Sequence, residues 1–235
     1  MSDERIVDLT LEQLDRDGAL REALARIDKE ATRADLLRGA AVGSAAFLTA
    51  LALPEASTAA TPSVRDKDIL NYALVLEYLQ SAFYSESERE GALRGKAKRA
   101  SEVLGAVERA HVKALRAVLG RASVARPFFN FKGVTEQQAP FLKTAVAFED
   151  LAVAAYKGQA TRIQAKPLLV AAISIHSVEA RHAAWMRYLF GITPAAKAFD
   201  DGLSRPEVEK IVAGTRFIAA RAKTSRKGRS PRLTG

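Results

Sequence analysis

In Glu108-Arg-Ala-His111 and Glu179-Ala-Arg-His182 a carboxylate is followed three residues later by an imidazole in helix-forming sequence. At ~100° per residue, that spacing puts both side chains on one helix face, about one turn apart. Around the second pair the same face carries Ala172, Ile175, Ala183, Met186 and Phe190, so it should point into a core. A carboxylate and an imidazole facing a core need a partner, because a buried unpaired charge is costly. A metal ion is one partner that satisfies both.

Two more glutamates match these pairs in position. Glu77 lies in Ala73-Leu-Val-Leu-Glu-Tyr-Leu-Gln-Ser-Ala-Phe-Tyr84, and Glu149 in Ala145-Val-Ala-Phe-Glu-Asp-Leu-Ala-Val-Ala-Ala-Tyr156. In each, a tyrosine follows seven residues after the glutamate, about two turns further along the same face. Glu77 precedes Glu108 by 31 residues and Glu149 precedes Glu179 by 30, so the chain contains two copies of one unit.

The elements that must position these groups follow from apolar periodicity, which predicts four long helices over about residues 66–90, 98–119, 137–159 and 166–190. Pro167 falls in the first turn of the fourth, where proline is tolerated. If each lone glutamate lies level with its Glu-x-x-His in an antiparallel pair, the turns must fall near residues 92 and 164. Gly91 and Gly95 stand at the first position, and a break over residues 158–167 at the second. The sixteen residues from Arg121 to Glu136 are long for a helix connection. At ~3.3 Å per residue they can traverse the whole bundle and leave the second and third helices parallel. The apolar Pro127, Phe128, Phe129 and Phe131 suggest that this crossover packs along the bundle. The expected architecture is all-α, a four-helix bundle built from two hairpins joined by a long crossover.

In that arrangement Glu77, Glu108, His111, Glu149, Glu179 and His182 meet at one height. Four glutamates and two histidines on facing helices are a set that binds two iron ions, or two manganese ions, in a bundle core. Without cations, four close carboxylates would repel one another and shift toward protonation. Arg109 and Arg181 project away from their neighbouring glutamates and cannot stand in. The alternative is ordinary helix-surface glutamates with incidental histidines. His176 has no counterpart in the second helix and reads as a core histidine or one hydrogen-bonded to a ligand, with a metal ligand as the alternative. Tyr84 and Tyr156 read as packing residues with a polar tip, with contact to a ligand or a redox role as the alternative.

From about Asp68 to Gly191 the chain resembles the ferritin-like superfamily, and within it the ferritin-like domain family that includes bacterial exported and desiccation-related proteins. The resemblance is carried by Leu76-Glu-Tyr78, Phe148-Glu-Asp150, the two Glu-x-x-His pairs, the aromatic crossover and Ala198-Phe-Asp-Asp-Gly-Leu-Ser204. It implies the same six residues as metal ligands. It also implies redox activity toward O2 or peroxide, as a ferroxidase or in oxidative stress, or else a stress-protective bundle that metal merely stabilises. Storage of iron in a cage and protection of DNA are weaker alternatives.

The remainder of the chain limits the setting. Its 235 residues suit one well-filled domain, here residues 65–191, plus extensions. With no cysteine, disulfides and thiolate metal sites are excluded. The net charge of +9 is uneven. Residues 222–235 form a basic, Ser- and Gly-containing tail expected to be disordered. Without interleaved aromatic residues or a recognised motif, it indicates no specific nucleic acid partner. Residues 1–60 read as a leader, acidic at first, with an uncharged run over 39–53 closed by Pro54. That run has the length of a signal core, with membrane contact as the alternative. Thr32-Arg-Ala-Asp-Leu-Leu-Arg38 resembles a twin-arginine motif with Ala34 in place of the second arginine. The expected location is exported or associated with the cell envelope, with a cytoplasmic protein as the alternative. Residues 192–221 are expected to add a short helix from about Arg205 to Val212, capped by Ser204. Self-association into a homo-oligomer is a further expectation.

Overall fold

A computed structural model describes residues 62–219 apart from 196. The leader with its apolar run and the basic tail lie outside the described residues. Four long helices dominate: α1 (Val64–Glu90), α2 (Gly95–Leu119), α3 (Gln138–Ala160) and α4 (Lys166–Phe190). A shorter α5 (Arg205–Thr215) follows, and two-residue strands β1 (Phe128–Phe129) and β2 (Ile218–Ala219) pair antiparallel. No helix among the described residues is long and apolar enough to cross a membrane.

Local chemistry sets the helix ends. The Ser63 hydroxyl accepts from the Asp66 backbone N–H and starts α1, and Gly91 stops it in a left-handed conformation at φ 63°. That turn needs glycine because a Cβ is penalised there. The α3–α4 turn is fastened to the start of α1, where the buried Asp66 carboxylate accepts from the backbone N–H groups of Gln164 and Ala165. Ser204 and Glu207 close a reciprocal capping box on α5. That helix runs to Thr215, a turn beyond its expected end.

α1 packs along α2 and α3 along α4, and the two hairpins then face each other through α1–α3 and α2–α4. Gly105 allows the first hairpin to close tightly, since a Cβ there would lie 2.9 Å from the Cβ of Tyr84. The crossover lies against the bundle. Phe129 and Phe131 are fully buried, and Phe131 meets Phe83 of α1 and Phe217 edge-on, each with ring centroids 5.4 Å apart. Phe83 also stacks on Phe141 at 5.0 Å and meets Phe148 edge-on at 5.1 Å, so one α1 aromatic joins the crossover to α3.

Two details depart from the sequence-based picture. Ala172, Ile175, Ala183 and Met186 of α4 are buried as expected, but Phe190 is 38% exposed. It is the last helical residue before Gly191, on the final turn of α4, where its side chain is only partly covered. Gly158 belongs to α3 rather than to the turn. A Cβ on it would lie 1.9 Å from the carbonyl oxygen of Leu203, so its bare backbone admits the returning chain. The Leu203 N–H then donates to the Ala154 carbonyl at 3.0 Å.

Candidate metal centre

Each long helix delivers its predicted groups to the middle of the bundle. α1 contributes Glu77, α2 Glu108 and His111, α3 Glu149, and α4 Glu179 and His182, all buried. They form two overlapping clusters. Glu77, Glu108, His111 and Glu179 each offer an atom to the first, and Glu108, Glu149, Glu179 and His182 to the second. Within each cluster the offered atoms all lie within 4.8 Å of one another. Glu108 and Glu179 belong to both and stand between them.

The contacts repeat the symmetry of the sequence. His111 Nδ1 lies 3.0 Å from Glu179, 3.3 Å from Glu77 and 3.4 Å from Glu108. His182 Nδ1 lies 2.9 Å from Glu108, 3.5 Å from Glu149 and 3.7 Å from Glu179. The two imidazole rings are 6.4 Å apart. Tyr156 of α3 donates to Glu77 Oε1 at 2.5 Å, and Tyr84 of α1 donates to Glu149 Oε1. Each tyrosine therefore serves the glutamate of the opposite hairpin rather than the one on its own helix. This crossing also shows that α1 and α3 run antiparallel, because the later residue of one meets the earlier residue of the other.

Proximity here does not amount to hydrogen bonding. Both oxygens of Glu108, both of Glu179, Glu77 Oε2 and the Nδ1 atoms of both histidines are buried without a well-directed hydrogen bond. Atoms left this way carry a desolvation penalty of about 1–3 kcal/mol each, more when charged. A convergent set of unpartnered carboxylate oxygens and imidazole nitrogens is what a cation satisfies. These buried groups could hold a metal ion.

In the absence of a cation, protons take part of that role. Burial raises the Glu108 carboxyl well above its ordinary range, and the nearby charges of Glu179 and Glu77 push it further. Burial likewise lifts Glu149 to about 7, with contacts from His182 and Tyr84 opposing the rise. Burial works against charge on His111, but the carboxylates of Glu77, Glu108 and Glu179 outweigh it and hold the imidazole well above its usual value. For His182 the same balance against Glu108, Glu149 and Glu179 gives about 12. Glu179 moves the other way: contacts from both histidines overcome burial and lower it.

The match to known families agrees with this arrangement. The family model for the ferritin-like domain matches residues 65–191. The chain belongs to the ferritin-like domain family. No curated protein matches it. Within the ferritin-like bundle, His176 is half-buried on α4 outside both clusters, with no hydrogen bond to its buried Nε2. Sequence reasoning passed over Gln80, whose amide Nε2 donates to Glu149 Oε2 at 3.1 Å. The signal was available in its spacing: Glu77, Gln80 and Tyr84 follow one another at three and four residues, on a single helix face.

Proposed function

We propose that this ferritin-like bundle holds two divalent metal ions, iron or manganese, and is redox-active toward O2 or peroxide. The supporting observation is the pair of four-donor clusters that share Glu108 and Glu179. In this proposal Glu77 and His111 hold one ion, Glu149 and His182 hold the other, and Glu108 and Glu179 serve both. Two adjacent ferrous ions supply electrons to an oxidant when bound. The rest is the work of the chain. Tyr156 and Tyr84 fix the rotamers of Glu77 and Glu149 through hydrogen bonds, and both histidines turn Nδ1 inward. The surrounding core keeps all six groups away from bulk water. Dryness strengthens the charge interactions.

The test is anaerobic loading of the purified protein with Fe(II), followed by addition of O2 or peroxide while ferric absorbance is recorded. The expected result is uptake of about two irons per chain, as the two-cluster site requires, followed by rapid oxidation that Glu108→Ala and Glu179→Ala abolish. Uptake without oxidation would reduce the metal to a structural element of a stress-protective bundle. Failure of the folded protein to take up iron or manganese would end the proposal.

A further inference from the structure

The internal two-fold repeat makes the two halves of the centre nearly equivalent, and one buried side chain breaks the equivalence. Glu149 has both oxygens engaged, Oε1 by the Tyr84 hydroxyl and Oε2 by the Gln80 amide at 3.1 Å. Among the described residues the Glu77 carboxylate accepts only from Tyr156, on Oε1, and its Oε2 makes no well-directed hydrogen bond. The residue at the position of Gln80 in the second unit is Ala152, three residues after Glu149, which offers no donor. Gln80, Ala152 and both glutamates are buried, away from bulk water.

A carboxylate oxygen that already accepts an amide N–H has given up one lone pair and part of its charge. Its carboxylate is a poorer metal ligand than one with an oxygen left free. The amide also fixes the rotamer of Glu149, which restricts its shift between ligation through one and two oxygens. An outer partner on the far oxygen of a ligand, as each tyrosine is, supports binding by about 10–100-fold; Gln80 instead occupies Oε2, the oxygen that faces His182 as Glu77 Oε2 faces His111, and so competes with the ion for it.

We propose that Gln80 is a positioning residue that makes the two ion positions unequal. The position held by Glu77 and His111 fills first and binds more tightly; the position held by Glu149 and His182 fills second and exchanges more readily. This inference rests on the two-metal reading proposed above and adds an order of filling to it.

Anaerobic titration of the metal-free full chain with Mn(II), with free Mn(II) followed by its electron paramagnetic resonance signal, tests it. The wild-type protein should show two steps with dissociation constants about tenfold or more apart. His111→Ala should remove the tighter step and His182→Ala the weaker. Gln80→Ala, which reproduces Ala152, should bring the two constants within about threefold by strengthening the weaker step. Gln80→Met keeps the side-chain volume and should do the same, which separates loss of the amide from loss of packing. Equal steps in the wild type would overturn the inference, as would an unchanged separation in both Gln80 variants. Absence of Mn(II) binding in the folded wild type would overturn the metal centre itself, and is a result distinct from two equal steps.

Discussion

Loading the centre with metal should expel protons, and their number follows from the charge balance of the buried cluster. In the metal-free protein at pH 7, His182 is held up to about 12 and His111 well above its ordinary value, so both imidazoles are protonated. Burial pushes Glu108 upward as well, and Glu149, at about 7, is half protonated. Metal ligands must be neutral imidazoles and ionised carboxylates. Binding two cations should therefore release at least about two protons per chain at pH 7, one each from His111 and His182, with further contributions from Glu149 and Glu108. The sign is set by the direction of the shifts: raised values mean that the metal-free state binds protons the loaded state cannot keep. Loading must then strengthen as pH rises. Each proton contributes about 1.4 kcal/mol per pH unit. The two histidine protons alone make that about 3 kcal/mol, or about a hundredfold in the overall two-metal constant, between pH 6 and 7. Calorimetric titration with Mn(II) in buffers of contrasting ionisation enthalpy counts the protons directly, and repeating it from pH 5.5 to 7.5 gives the slope. Release of less than one proton per chain, or a loading constant flat across that range, would refute the electrostatic account of the cluster.

Two other perturbations test the supporting structure. Tyr156→Phe removes the one hydrogen bond that the Glu77 carboxylate accepts among the described residues, and should weaken one Mn(II) step by about 10–100-fold while the helical circular dichroism is retained; unchanged binding would deny the tyrosine a role in holding the ligand. Gly158→Ala places a methyl group 1.9 Å from the Leu203 carbonyl oxygen, and should cost about 1–3 kcal/mol in urea unfolding. A loss below about 0.5 kcal/mol, the size of an ordinary surface change, would mean that the segment after α4 is not held against α3.

The parts of this structure legible in the sequence are those that depend on helical period. Three-residue spacing fixes a shared face, so Glu108 with His111 and Glu179 with His182 could be paired before any coordinates. Equal spacing from Glu77 and Glu149 placed the lone glutamates level with those pairs. The glycines near residue 91 located a turn because left-handed backbone is cheap only for glycine. What escaped depends on contacts between elements. Tyr84 and Tyr156 lie on the same faces as Glu77 and Glu149, yet each reaches across the bundle, because a side chain two turns away on one helix is farther than a neighbour on the facing helix. Gln80 looked like one more polar residue on α1 until the position of Glu149 was known. Phe190 follows the apolar stripe of α4 but sits on its last turn, where it is left partly exposed. Gly158 has the look of a helix break in the sequence, whereas its role is to admit the backbone of Leu203, a contact 45 residues away that no local pattern announces.

The crossed hydroxyl–carboxylate contacts, Tyr84 to Glu149 and Tyr156 to Glu77, mean that neither half of the molecule can finish its own interior. Each hairpin carries a tyrosine whose acceptor is in the other, and each shares its Glu-x-x-His carboxylate with the opposite histidine. This is the interface of a symmetric homodimer written into one continuous polypeptide, with the phenylalanine-lined stretch between α2 and α3 as the suture. A solitary hairpin of this design would have no use for its own tyrosine until it met a twin.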